Sequence, residues 1–372
     1  MRKLFSLLSI AGALCVQNTA AQSDTDQQSA NNRLQAAVTL MDNGQVDSSL
    51  ILLEEGRKLF PDNIDFPYEM AYAKYLTKDY NAAADLLKKL QKHKDVSDRV
   101  YQLLGNCYDY LGKPKKAIDS YDDGLERFPG SGPLHLERGI MEMKAKQYGR
   151  ALAYFEAGIN GEPTFTSNYY WAAKIFCSQS EEEVWGMIYG EIFINLERGS
   201  KRTEEISKLL YYTYKSEIQF PNDTSVSVSF HKDNTINIGW DPKSGPEDLA
   251  KQLMSALNRS FPGVYEQSLM LSVVGEKIIN LQTLDSIRTR FLDIYAQQGK
   301  ELTVPVPIFD YQRQLRSLGY LDAYNYWALG LGSQQEFEDW RIANQDKWDK
   351  FIAWFREHGL QVTNENKFTR PR

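Results

Sequence analysis

Residues Leu103–Pro129 read LLGNCYDYLGKPKKAIDSYDDGLERFP. Three small residues, Gly105, Ala117 and Gly124, stand among large side chains, and the stretch ends on Phe128-Pro129. Two helices approach closely only where a small side chain lets one backbone near the other. Gly105 and Ala117 therefore mark the contact line of a helical hairpin, with Tyr108 and Tyr121 filling the spaces beside it. Gly112 suits a left-handed helix C-cap, and Pro114 suits the first position of the second helix. Pro129 cannot continue a helix, so it marks the turn out of the unit.

The pattern recurs every 34 residues. The following unit keeps the register with Gly139, Ala151, Phe155, Gly158 and Pro163. Stepping back, Ala71, Ala83 and Leu87 match, and before them Ala37, Ser49, Leu53, Gly56 and Pro61. The run from Thr166 keeps Ala172, Ala173 and Phe176 but places Trp185 where a small residue is usual. With Tyr101, Leu104, Gly105, Tyr108, Ala117, Tyr121, Gly124 and Pro129 at its marker positions, the array resembles a tetratricopeptide-repeat (TPR) solenoid. The resemblance covers four to five repeats over residues 30–199.

That resemblance implies stacked helix pairs whose first helices line a concave surface suited to extended protein segments. It places groove-facing side chains at the second, fifth, ninth, twelfth and thirteenth positions of each unit. In the second unit these include Tyr68, Tyr72 and Tyr75, and in the third they are Arg99, Gln102, Asn106, Asp109 and Tyr110. The fifth offers Tyr170 and Lys174. The candidate partner-binding residues are therefore Tyr68, Tyr72, Tyr75, Arg99, Asn106, Tyr110 and Tyr170, since tyrosine supplies contact area with a polar tip. The same tyrosines could equally pack between helices. Some family members grip a peptide's terminal carboxylate with paired lysines and asparagines. Here Asn106 matches one such position but Gln102 stands where a lysine is needed, so that clamp is not supported. The implied partner is a protein or peptide segment other than an acidic C-terminal tail.

At the N-terminus, Arg2 and Lys3 precede an apolar run from Leu4 to Val16, and Thr19-Ala20-Ala21 follows. This is the pattern of a secretory signal peptide, with cleavage expected after Ala21. It points to a periplasmic or secreted protein with residues 22–29 as a linker. Leu14 stands where a lipobox before Cys15 would need a small residue, which argues against lipidation. No later segment is apolar enough for a membrane span. Without the leader the chain holds 41 basic against 49 acidic residues, a poor match for a phosphate backbone, so no nucleic-acid partner is expected. Cys107 and Cys177 fall two repeats apart, too far to bridge in a stacked array, and read as buried small hydrophobes.

Beyond Gly199, KRTEEISKLLYYTYKSEIQF reads as one amphipathic helix over residues 200–220, closing the repeats or bridging onward. The hydrophobic period then changes to two. Val226, Val228 and Phe230 share one face, and Ile236, Ile238 and Trp240 share a face of the next run. With Lys232-Asp233-Asn234 as the turn, this is a β-hairpin opening an α+β domain over residues 221–372. Its apolar face must pack on the following helices, because an isolated hairpin is barely stable. Helices are expected over Pro246–Leu257, Leu281–Gln298 and Ser333–His358. LMLSVVGEKIINL fits either a hairpin turned on Gly275 or a continuing helix. Thr303–Pro307 is expected to be extended, and the basic tail after Gly359 loose. The whole reads as mainly α: a helical-hairpin solenoid followed by an α+β domain.

Catalytic chemistry finds little footing. His93, His135, His231 and His358 lack metal spacing, and no phosphate loop or nucleophile elbow is present. His93 and His231 read as solvated. Glu181, Glu182 and Glu183 suit a helix N-terminus. No enzyme, cofactor or metal is expected. The leading reading is an exported scaffold or adaptor that binds a protein segment in its groove. The alternative is a glycan- or small-ligand-binding envelope protein using Tyr324, Tyr326, Trp327 and Trp340 as a stacking platform.

Overall fold

The computed structural model describes residues 9–222, 225–232, 236–239, 260–298 and 306–371. The side chains of 9–25, 236–239 and 298 lie outside the description. The expected helix over Pro246–Leu257, Trp240, the turn residues Asp233 and Asn234, and Thr303–Pro305 also fall outside it. The chain divides into two compact units, Met1–Pro129 and Gly130–Arg372.

The first unit holds three helical hairpins. They are α1 (Ser9–Asp42) with α2 (Val46–Leu59), α3 (Asp65–Leu76) with α4 (Tyr80–Leu90), and α5 (Asp98–Tyr110) with α6 (Pro114–Arg127). The second unit opens with two more, α7 (Gly132–Lys144) with α8 (Tyr148–Gly161) and α9 (Thr166–Gln179) with α10 (Glu183–Leu196). The contact line read from the sequence is present. A Cβ added to Gly105 would lie 2.1 Å from the Tyr121 ring, and one on Gly139 would lie 2.4 Å from Phe155. Only a bare Cα fits at either place. Ala117 and Ala151 are fully buried. Tyr108 does less than expected: it is half-buried, with the ammonium groups of Lys88 and Lys116 above its ring.

The turns inside the hairpins repeat as regularly as the cores. Gly44, Lys78, Gly112 and Lys146, each 34 residues from the next, all adopt positive φ, at 74°, 63°, 67° and 57°. Each closes its helix in the same way. Gln45 donates its N–H to the Leu40 carbonyl, Asp79 to Lys74, Lys113 to Tyr108 and Gln147 to Glu142, the six-to-one bond of a Schellman motif. Glycine takes this conformation freely, whereas lysine pays about 1–2 kcal/mol for the same geometry. The geometry therefore belongs to the repeat and is imposed on Lys78 and Lys146.

The fifth hairpin is where the pattern bends. Trp185, in the small-residue position, is 4% exposed and stacks on Phe261 with ring centroids 5.1 Å apart. The close approach moves one residue on, to Gly186, where an added Cβ would meet the Cys177 sulfur at 2.3 Å. Cys107 and Cys177 are both free, as expected. Burial pushes each thiol up to about 12, which leaves them inert as thiolates.

After α10 comes α11 (Lys201–Glu217), opened by a Ser200–Thr203 capping box. It is shorter than the sequence suggests. Ile218–Asn222 is a strand, β1, antiparallel to β2 (Ser225–Val228), which pairs with β3 (Ile236–Gly239) in the order β1-β2-β3. Pro221 bars a helix there and is tolerated at a sheet edge. The expected hairpin is present, with Val226 opposite Ile238 and Val228 opposite Ile236. Val226, Val228 and Phe230 are buried, and the Phe230 ring lies between Tyr214 of α11 and Tyr265 of α12 (Phe261–Val273). LMLSVVGEKIINL thus ends a helix, with Gly275 in the turn behind it at φ 92°.

The remaining helices are α13 (Leu281–Gln298), α14 (Pro307–Ser317), α15 (Leu321–Leu329), α16 (Gln334–Ala343) and α17 (Gln345–Glu357). The single long helix expected over Ser333–His358 is two, broken at Asn344, where φ is −124° and ψ is 33°. Asn344 donates its own side-chain amide to the Trp340 carbonyl, a local bond that competes with helix continuation. One hydrophobic core runs from Ala151 to Phe368, so the last hairpins and the C-terminal helices pack as one body. The boundaries read from sequence at 199–200 and 220–221 accordingly fall inside this unit, not between compact bodies.

Candidate functional site

Four tyrosines gather where the second and third hairpins turn. Tyr72 stacks on Tyr75 at 6.3 Å, and Tyr75 meets the edges of Tyr80 and Tyr110 at 5.5 and 5.7 Å. Tyr80 lies flat on Tyr110 at 4.9 Å and 10°. The positions follow from helix geometry: Tyr72 and Tyr75 share a face of α3, Tyr80 opens α4, and Tyr110 ends α5. Tyr110 is 63% exposed, Tyr72 37% and the adjacent Leu76 43%. The rings thus hold one another in place while their outer faces meet solvent. Burial raises the Tyr75 hydroxyl's pKa, and its bond with Tyr110 raises it further. At neutral pH the Tyr75 hydroxyl therefore keeps its proton and is a hydrogen-bond donor.

Tyr68 and Arg99 also come together. The Arg99 guanidinium sits 4.1 Å from the Tyr68 ring centroid and is ion-paired with Asp65, with Glu69 4.0 Å away. Burial pushes the Tyr68 hydroxyl up to about 12, and the nearby guanidinium opposes the rise. Asn106 has a different task. Its Oδ1 accepts the Tyr121 hydroxyl at 2.6 Å, so it steadies the ring that faces Gly105. Tyr170 does not join the others. In the second unit it is 6% exposed, donates to Glu205 and accepts from Lys174 at 3.2 Å. Glu205 belongs to α11, which packs on α9 and closes over this position. The groove-facing assignment of Tyr170 is therefore corrected: the terminal helix has taken the surface a further repeat would have left open. Tyr80 lies outside the positions the family resemblance marks, and Leu76, though it holds the thirteenth position one repeat before Tyr110, is passed over because it is not a tyrosine. The clue was Tyr80's place two residues after Lys78, at the start of the second helix.

The aromatic residues considered for a stacking platform are packed into the second unit. Tyr324 is fully buried, and Tyr326 stacks on Trp340 at 4.4 Å. Trp327 packs edge-on against Phe355 at 4.6 Å. Their faces are spent on each other.

Tyr324 instead belongs to an internal polar network. The Glu191 carboxylate accepts from Arg288 at 3.1 and 2.5 Å, from Gln312 at 2.6 Å and from the Tyr324 hydroxyl at 2.8 Å. Arg288 also donates to Asn325 at 2.7 Å, and Asn325 to Asp285 at 2.7 Å. Burial disfavours the guanidinium's charge, but Glu191, Tyr214 and Tyr324 outweigh it and hold Arg288 well above its ordinary pKa. The network joins α10, α13, α14 and α15.

Glu182 stands at the N-cap position of α10 without a side-chain capping bond, and Glu183 begins the helix. Glu181, Glu183 and Glu217 line a depression of about 310 Å³ with Ser229 and Lys232, and burial, with Glu217 adding, pushes Glu183 up to about 7. His231 is not solvated as expected: its side chain is 13% exposed and lies 3.9 Å from Glu182. Among the described residues no group of three or more His, Cys, Asp or Glu could hold a metal ion. No described helix is long and apolar enough to cross a membrane.

No protein-family model matches the chain, and no curated protein matches it. Solved structures similar to it include a thermophilic TPR protein of Thermus thermophilus, 20% identical over 49% of this chain and 98% of that one, with a TM-score of 0.41. PilF of Pseudomonas aeruginosa is 14% identical over 52% and 86%, at 0.43. MamA is 16% identical over 43% and 94%, at 0.36. At TM-scores under 0.5 these likenesses carry no argument. The repeat assignment rests instead on the glycine–ring contacts, the Schellman turns and the 34-residue spacing. On those features the helical-repeat architecture fits a tetratricopeptide-repeat protein.

Proposed function

We propose that the chain is a non-enzymatic, protein-interaction scaffold whose first unit takes a segment of another protein on the tyrosine cluster. The observation that carries this is the cluster itself. Tyr72, Tyr75, Tyr80 and Tyr110 are fixed by mutual stacking, and Tyr72, Tyr110 and Leu76 keep large exposed areas. Pre-ordered aromatic rings with polar tips lose little entropy on binding and are the residues that most often anchor interfaces. A cluster built only for stability would turn its rings inward, as Tyr121 does at 1% exposure.

The N-terminal pattern supports export to the periplasm or beyond, with processing after Ala21. Helix α1 runs through that point, and among its residues with described side chains the buried ones, Ala30, Ala37 and Met41, lie beyond it. Removal of the leader would leave those contacts in place.

The test is a crosslinking pull-down from the envelope fraction, comparing the intact chain with Tyr72→Ala/Tyr110→Ala. Both substitutions are at exposed rings, so circular dichroism should match. A protein captured by the intact chain and lost with the double variant supports the reading. Equal capture by both refutes the tyrosine cluster as the binding surface. The mass of the mature chain, expected to begin at Gln22, tests export.

A further inference from the structure

The segment after Gly359 is not loose. It runs without regular secondary structure from Gly359 to Pro371, broken by a turn at Asn364–Asn366, and is pinned to the repeats. Phe368 is fully buried, its ring 5.6 Å from Tyr189, 5.7 Å from Phe261 and 6.1 Å from Trp185. Two residues on, the Arg370 guanidinium bonds both Glu156 oxygens at 3.2 Å and Glu182 at 2.9 Å, and lies 5.1 Å from the Phe176 ring. The Arg370 N–H reaches the Tyr189 hydroxyl at 3.0 Å, and the Lys367 ammonium reaches the Asn160 carbonyl. Thr363 and Asn366 organise the turn before the plug, with Thr363 N–H donating to Asn366 Oδ1 at 2.7 Å.

The two sides of this contact differ in kind. The seat is made by helices: Glu156 from α8, Phe176 from α9, Trp185 and Tyr189 from α10, and Phe261 from α12. These rings also pack on each other, as Trp185 does on Phe261 and Tyr189 on Phe176, so the well keeps its walls without its plug. The segment is anchored at its root, where Leu360 and Val362 are buried in the core, but less firmly beyond it. Between Thr363 and Arg370 it offers one buried ring, one guanidinium, one ammonium and one backbone N–H for eight residues of chain. A stretch held by so few contacts opens locally, well below the threshold of global unfolding.

We propose that this seat is a binding site for a peptide segment presenting an aromatic residue and, two positions later, a guanidinium, and that the chain's own Phe368-Thr369-Arg370 is its resident, releasable ligand. An apolar well flanked by Glu156 and Glu182 selects both parts of that ligand: the ring by burial, the cation by two carboxylates. The site lies in the second unit and is independent of the tyrosine cluster.

The experiment uses the full-length Phe368→Ala/Arg370→Ala variant and a fluorescein-labelled peptide of residues 361–371, read by fluorescence polarisation. The variant should bind the peptide saturably. The intact chain should bind it about 10–100-fold more weakly, because its own tail competes at the millimolar effective concentration of a tethered ligand. The same peptide carrying alanine for Phe368 should not bind. A folded variant that does not bind the peptide overturns the proposal. So does a variant that fails to fold, since the tail would then be part of the core. Hydrogen exchange on the unaltered chain gives a second reading: amides of 363–370 should exchange at least about tenfold faster than those of α8 and α10. Equal protection overturns release.

Discussion

Replacing Gly105 by alanine adds one methyl group where the structure has no room for it. Its Cβ would stand 2.1 Å from Tyr121 Cε1 and 2.6 Å from Cδ1 and Cζ, against a carbon–carbon contact distance of about 3.5–4.0 Å. The ring cannot step aside. Tyr121 is 1% exposed, and its hydroxyl is held by Asn106 at 2.6 Å, on the helix that carries the new methyl. Overpacking on this scale costs about 3 kcal/mol, and loss of the hydroxyl's bond costs about 1 kcal/mol more. Alanine's better helix propensity returns about 1 kcal/mol. The net expectation is a destabilisation of about 3 kcal/mol, seen as a drop of about two orders of magnitude in amide protection across α5 and α6 by peptide-resolved hydrogen exchange. Gly149→Ala is the control: the added Cβ there meets nothing within 4 Å, and the change should stabilise α8 by about 0.5–1 kcal/mol. The double variant Gly105→Ala/Tyr121→Leu recreates the alanine–leucine pairs that the chain itself uses at Ala37/Leu53 and Ala71/Leu87. On the Tyr121→Leu background the alanine should cost almost nothing. If Gly105→Ala leaves protection of α5 and α6 unchanged, or costs as much with leucine at 121 as with tyrosine, the close-approach argument is wrong.

Glu191→Gln should destabilise the second unit by about 3–5 kcal/mol, because Arg288 would keep its buried charge without a counter-ion; urea unfolding followed by tryptophan fluorescence reads this unit selectively, since all seven tryptophans lie at or beyond Trp171. Glu266 sets a pH dependence of definite sign. Burial pushes its carboxyl from 4.5 up to about 8, so the folded state keeps a proton that the unfolded chain has already lost. The resulting stability is fully present below about pH 4.5 and is lost as the pH rises through about 8. Glu266→Gln keeps an acceptor for the Phe230 N–H, and the gap in unfolding midpoint between variant and parent should widen in the variant's favour from about pH 5 to about pH 8. A constant gap would show that the carboxyl titrates normally.

The repeats were legible because they state the same physics several times over. A glycine opposite a ring, a buried alanine and a proline after the second helix each reflect a local contact, and a 34-residue period brings them back in register. The tyrosine cluster was legible in three of its four members, since Tyr72, Tyr75 and Tyr110 fall at positions set by one unit's own helix. Other features depend on residues far away in sequence. Ile218–Asn222 continues an amphipathic pattern, and only Pro221 and its pairing with β2 make it a strand. Trp185 reads as a defect in the repeat until Phe261 is beside it, 76 positions on. Phe368 and Arg370 sit in a polar tail whose composition signals looseness. What fixes them is Tyr189 and Glu156, which carry no local mark.

Helix α10 shows why the last hairpin departs from its predecessors. Every residue from Val184 to Asn195 is buried, whereas a surface helix keeps one face polar. As the second helix of a repeat it must cover α9; it also faces α11 and α14, and its Trp185 reaches Phe261 of α12. One apolar stripe cannot serve so many neighbours, so VWGMIYGEIFIN is apolar all round and loses the periodicity that marks the earlier units. Its one charged residue, Glu191, then faces protein on every side. A lone carboxylate there would be costly, and the four donor groups from Arg288, Gln312 and Tyr324 are what make it tolerable. The array's end is thus built by burying its final helix completely, and the charge retained at the centre of that helix ties α13, α14 and α15 to one register against it.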